Sequence, residues 1–195
     1  MDFIMPVWLK HKLLRVIFTS TLLAGPGFSQ LNAAEITINK VSSEIINDIY
    51  VVNAKLNYEL GEKTIEALEN GIPLTFYIEI EFLRPRKLIW NKEIVRHTHY
   101  MILEHHPLSD QYVLINLATS DQFSFKSLND ALLKLGKISK LPITEKKNIK
   151  PGMPLIGQIR TGLDIEALPP PMRLQAWLSS EWRVSSGWFK WKIQS

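Results

Sequence analysis

From residue 74 to residue 83 apolar and polar side chains alternate without a break. Leu74, Phe76, Ile78, Ile80 and Phe82 fall on one side, and Thr75, Tyr77, Glu79 and Glu81 on the other. A period of two marks a strand with one face in a core. A slip of one residue would bury the two glutamates, so the register is strongly specified and the glutamate face is expected to be solvated. Asp48–Leu60 repeats the pattern, with Tyr50, Val52, Ala54, Leu56 and Tyr58 opposed to Val51, Asn53, Lys55, Asn57 and Glu59. Ile36–Asn39, Ile94–Leu103, Tyr112–Leu117 and Leu155–Leu163 are further extended stretches. Arg84-Pro85-Arg86 ends the clearest strand, because proline cannot continue a central ladder.

Two short helices interrupt the strands. Glu62 opens the first, Ile65 and Leu68 share one face, and Asn70-Gly71 supplies a left-handed stop. Ser127-Leu128-Asn129-Asp130 starts the second like a capping box; Leu128, Ala131, Leu132 and Leu135 follow helical spacing, and Gly136 stands at its carboxyl end. Lys134–Lys150 is expected to be a solvated connection rather than a nucleic-acid stripe, because Leu141-Pro142-Ile143 interrupts its lysines. Pro169-Pro170-Pro171 breaks the chain, and Ser185-Ser186-Gly187 is expected to turn between two final strands, Trp182–Val184 and Trp188–Ile193. Short connections, and the absence of a strand–helix–strand rhythm, predict a mostly antiparallel β-sandwich, immunoglobulin-like or similar, with two short helices.

The first 34 residues differ from the rest. Lys10, His11, Lys12 and Arg15 precede the apolar run Val16–Ala24, then Gly25-Pro26-Gly27, then Ala33-Ala34. This is the layout of a secretory signal peptide, cleaved after Ala33 or Ala34, leaving residues 35–195 as a single domain in the periplasm. The run is much shorter than the roughly 20 residues that span a bilayer, so no stable span is expected after cleavage. The leader holds three cations against Asp2, so half of the net charge of +4 belongs to it and the domain itself is nearly balanced. With no cysteine there is neither a disulfide framework nor a thiolate metal site. The core must hold the domain unaided.

Catalytic patterns are sparse. His97 and His99 share a strand face and His105-His106 follow on a turn, but no acidic residue stands at a ligand spacing, so neither a metal nor another cofactor is expected. No G-x-S-x-G elbow and no glycine-rich phosphate loop occurs. Glu79 and Glu81 could act as paired carboxylates in a glycoside hydrolase, although an outer strand face places them identically. Arg160 and Asp164, in R-x-x-L-D, could pair with each other or with a carboxylate partner, as a partly buried structural ion pair. Trp90, Trp177, Trp182, Trp188 and Trp191, with Arg84, Arg86 and Arg183 nearby, suit an interface, although at least half of these rings are expected to fill the core. The candidate interaction residues are therefore Arg84, Arg86, Trp90, His106, Arg160, Asp164, Trp182 and Trp188. The leading expectation is a non-enzymatic interaction or sensing module; the alternatives are a binding module for an envelope polymer or small ligand, and a hydrolase with an unrecognised site.

ALENGIPL (Ala67–Leu74), His106–Tyr112, FSFKSLNDALLKLGKISKLPI (Phe123–Ile143), RTGLDIEALPPP (Arg160–Pro171) and WRVSSGWFKW (Trp182–Trp191) together resemble the proteobacterial exported family called domain of unknown function 4390. The resemblance spans nearly all of the mature chain. It implies no activity. It implies a genomic setting beside a sensor histidine kinase and its response regulator, and hence a membrane sensor histidine kinase or another envelope protein as partner.

Overall fold

A computed structural model describes residues 34–193; apart from Ala34, the expected signal peptide lies outside them. Within them nine strands follow in order: β1 (Glu35–Ile46), β2 (Ile49–Glu59), β3 (Leu74–Arg84), β4 (Lys92–His106), β5 (Gln111–Asn116), β6 (Gln122–Phe125), β7 (Lys137–Glu145), β8 (Leu155–Leu163) and β9 (Phe189–Ile193). Three α-helices separate them: α1 (Glu62–Glu69), α2 (Leu128–Leu135) and α3 (Pro170–Leu178). All pairings are antiparallel, in a three-stranded sheet β1-β2-β7 and a six-stranded sheet β6-β5-β4-β3-β8-β9. The antiparallel β reading therefore holds, with one more helix than expected. Among the described residues no helix is long and apolar enough to cross a membrane.

The alternating pattern of β2 and β3 builds the core between the sheets. Tyr50 meets Phe82 edge-on at 5.8 Å and Tyr58 meets Phe76 at 5.4 Å, geometries that suit the ring quadrupoles. Burial pushes the Tyr58 hydroxyl well above its ordinary pKa, so it stays neutral. It donates to Thr161 Oγ1 at 2.8 Å, and Thr161 donates in turn to the Tyr77 carbonyl at 2.6 Å. These bonds satisfy two buried hydroxyls and tie the small sheet to the large one. At the far edge Trp191 lies over Gly157, its partner across β8 and β9. The ring reaches Phe82, and its indole N–H donates to Ser43 on β1 at 3.2 Å.

Four features differ from the sequence expectation. The lysine-rich stretch expected to be a connection contains β7, whose pairing with β2 is shifted twice; these irregularities hide its period. The four-residue strand β6 is too short to carry a pattern of its own. The triple proline does not end regular structure but starts α3, because proline at the first helical turn gives up an amide that has no helical partner anyway. Ser185-Ser186-Gly187 is not a hairpin turn. Gly162 pairs with Ser185, and Ile159 pairs with Phe189. Both segments therefore run along the same edge of β8, with one extra residue between them.

Local signals behave as expected at the α2 start and at Gly71. Ser127 accepts from the Asp130 amide at 3.1 Å, and Gly71 is left-handed at φ 79°. Gly136 is different: its φ of −73° suits any residue, but a Cβ there would strike the Leu56 carbonyl. The Leu56 amide donates to the Gly136 carbonyl at 2.8 Å, so α2 is held against β2 backbone to backbone. At an unhindered right-handed position Gly→Ala usually stabilises by about 0.4–1 kcal/mol. Gly136→Ala is instead expected to destabilise by about 1–3 kcal/mol in chemical denaturation, the cost of overpacking.

Candidate functional site

The glutamates of β3 lie on the outer face of the large sheet and are covered there, although Arg96, Thr98 and Tyr100 on the same face are exposed. Glu79 is 6% and Glu81 5% exposed. Cross-strand register explains how they are tolerated: Arg160 on β8 stands opposite Glu79, and both Gln158 on β8 and Arg96 on β4 stand opposite Glu81. Arg160 donates to Glu79 Oε2 from Nε and a terminal nitrogen, both at 2.6 Å. Arg96 bridges Glu79 Oε1 at 3.1 Å and Glu81 Oε1 at 2.7 Å, and Gln158 donates to Glu81 Oε2 at 2.7 Å. All four carboxylate oxygens are thus engaged. Trp188 stacks on the Arg160 guanidinium, 4.6 Å from its ring centroid. Beside them, burial and the Glu79 and Asp164 charges raise the Tyr77 pKa, partly opposed by Arg160.

Of the two pairings open to Arg160, the one with another carboxylate is formed, to Glu79, and the one with Asp164 is not. Four residues along a strand span about 13 Å, too far for a direct pair. Asp164 instead accepts from the Glu166 amide at 3.1 Å and caps the turn after β8. Trp182 is buried in the core, beside α1 and α3, and so is withdrawn from the surface. His106, at the end of β4, is exposed and lies 3.3 Å from Glu104. It sits at the opposite end of the sheet from Arg84, Arg86 and Trp90.

Those three share the β3–β4 hairpin. Here Leu88 is 96% and Trp90 94% exposed, with Ile89 between them also in solvent. Arg84, Arg86, Lys87 and Lys92 surround this apolar tip. The topology adds to the charge. The turn 47–48, the hairpin 84–93 and the segment 145–152 all lie at one end of the sandwich, because Ile46 pairs with Ile49, Ile49 with Glu145, Arg84 with Lys92 and Leu83 with Ile156. The Tyr50–Phe82 contact brings the two sheets together at this end. Together these segments hold seven cations against Asp48, Glu93 and Glu145, and the latter two are engaged by Arg96 and Lys147. The other end, segments 60–73, 104–111 and 164–181, holds eight carboxylates against Lys63 and Arg173. The domain is therefore polarised along its strands, which a near-zero net charge conceals.

His97 and His99 turn inward from β4, opposite Ile80 and Ile78. Burial lowers the pKa of both, and the neighbouring His97 lowers that of His99 further. His99 lines a cavity of about 170 Å³ with Asp121, Lys134 and Lys137. Among the described residues no group of three potential metal ligands converges. Sequence reasoning also missed Leu174, Trp177 and Leu178, an exposed face of α3 whose helical spacing is masked by the prolines.

Two outcomes are expected. Arg160→Met should cost about 1–2 kcal/mol, less than a fully buried broken pair because Arg160 is partly solvated and Arg96 still serves Glu79. Adding Glu79→Met should recover most of that loss in a double-mutant cycle, as expected of a structural pair. The histidines resist protonation in the fold, so the unfolded chain takes up protons first as pH falls below their ordinary 6.5. Their contribution is complete above that value and is lost beneath it. Denaturation midpoints should therefore fall as pH drops through about 6.5, and His97→Gln with His99→Gln should flatten that fall.

No curated protein and no solved structure matches the chain. The family described as Domain of unknown function (DUF4390) matches residues 33–192, nearly the whole of the described domain. The chain belongs to the DUF4390 family.

Proposed function

We propose that the domain is a non-enzymatic interaction or sensing module, exported to the periplasm by residues 1–34, that works beside a membrane sensor histidine kinase or another envelope protein. The observation that carries this reading is the β3–β4 hairpin: three consecutive large apolar residues held in solvent among four cations, on a base braced by the Glu79–Glu81 network. Apolar clusters exposed and rimmed by polar residues in this way mark protein–protein or membrane contact surfaces. The paired-carboxylate hydrolase is disfavoured because arginine and glutamine donors already occupy both carboxylates. The ligand-binding alternative loses its strongest element, since Trp188 and Arg160 are committed to each other.

Site-specific photo-crosslinking in living cells tests the proposal. A photoreactive residue replacing Ile89 in the full chain should capture an integral envelope protein, identified by mass spectrometry, whereas one replacing Asp110 at the acidic end should not. Capture from position 110 alone, or no protein adduct from position 89, contradicts it.

A further inference from the structure

We infer that the basic end seats directly on an anionic phospholipid surface, with Leu88, Ile89 and Trp90 entering the headgroup region. This rests on reading that end as the contact surface and names what it touches first. Three observations converge. The apolar residues form the convex tip of a hairpin rather than the wall of a groove, so they fit a soft, deformable layer better than a shaped pocket. Tryptophan is enriched where bilayer meets water, its ring in the headgroups and its N–H free to find a polar partner. The net charge around the tip is positive. Arg84, Arg86, Lys87 and Lys92 flank it, and Lys146, Lys147 and Lys150 extend the cationic surface from the neighbouring segment of the same end.

The shape of the charge distribution selects the orientation. An anionic surface attracts cations only within about a Debye length, roughly 8 Å at physiological salt. The carboxylates of segments 60–73, 104–111 and 164–181 lie at the far end of strands that reach 15 residues, β4 being the longest, or about 50 Å at full extension. They are beyond that reach when the basic end is down. The second exposed apolar group, Leu174, Trp177 and Leu178, lies among those carboxylates and would be repelled by the same surface. Long arginine and lysine stems can lie along the acyl boundary while their heads meet phosphates, so the cations need not block entry of the tip.

The test uses the absence of native cysteine. The full chain carrying Ile89→Cys is labelled with an environment-sensitive fluorophore and mixed with phosphatidylcholine vesicles, with or without phosphatidylglycerol. A matched Asp110→Cys protein reports the acidic end, and the shared amino-terminal segment cancels between the two. The expected result is a blue shift at position 89 with the anionic vesicles, quenching by brominated lipid, and no change at position 110. In the same labelled protein, Arg86→Gln with Lys87→Gln should weaken partitioning by about five-fold per charge. Leu88→Ser with Trp90→Ser should remove the shift while thermal unfolding stays unchanged.

An equal shift with neutral vesicles, or equal shifts at positions 89 and 110, overturns the inference. No shift at position 89 on lipid, together with a cellular protein adduct from the same position, assigns this end to a protein partner alone. That outcome overturns the lipid inference and leaves the interaction reading in place.

Discussion

Two buried carboxylates in the middle of a central strand constrain most of this structure. β3 is flanked by β4 and β8, its inner face is packed on the small sheet, and its outer face is closed over Glu79 and Glu81. An unpaired buried charge costs several kcal/mol, so the neighbouring strands must supply donors at defined heights. Arg96 meets that demand from β4, and Arg160 with Gln158 from β8. A shift of either neighbour by one residue would turn these donors to the other face. Pairing the glutamates therefore fixes three strands against each other, and with them the point from which the β3–β4 hairpin leaves the sheet.

In the proposed reading, the hairpin is where that rigidity is used. Its own residues make few contacts; among the described side chains, Asn91 accepts weakly from the Arg86 amide at 3.4 Å. The order comes from below, through the β3–β4 ladder. The apolar tip on this base stays exposed, Leu88 and Trp90 almost completely. The opposite charges of the two ends give the domain a direction along its strands, which its overall composition does not reveal.

Much of the fold could be read from local pattern. The β3 register, the Ser127 cap and the left-handed Gly71 each depend on a few adjacent residues, and each appears as expected. What could not be read depends on distant partners. Nothing near Glu79 in sequence indicates that residues 96 and 160 will cover it, so its face looks solvated from the pattern alone. β7 loses its period to two register shifts, and α3 is hidden by prolines that suit a helix start. R-x-x-L-D holds two opposite charges close in sequence, but a strand separates them, and the carboxylate that Arg160 meets comes from β3. Within the candidate site, Arg84, Arg86 and Trp90 are found together because they are close in sequence. The lysines of 146–150 join them only through topology.

Hydrogen–deuterium exchange of the full chain, alone and with isolated cell membranes, would test the working surface without altering a residue. Added protection is expected in 84–92 and 145–152, with 104–111 and α3 unchanged. Protection confined to α3 and the acidic end, with the hairpin unaffected, would contradict it.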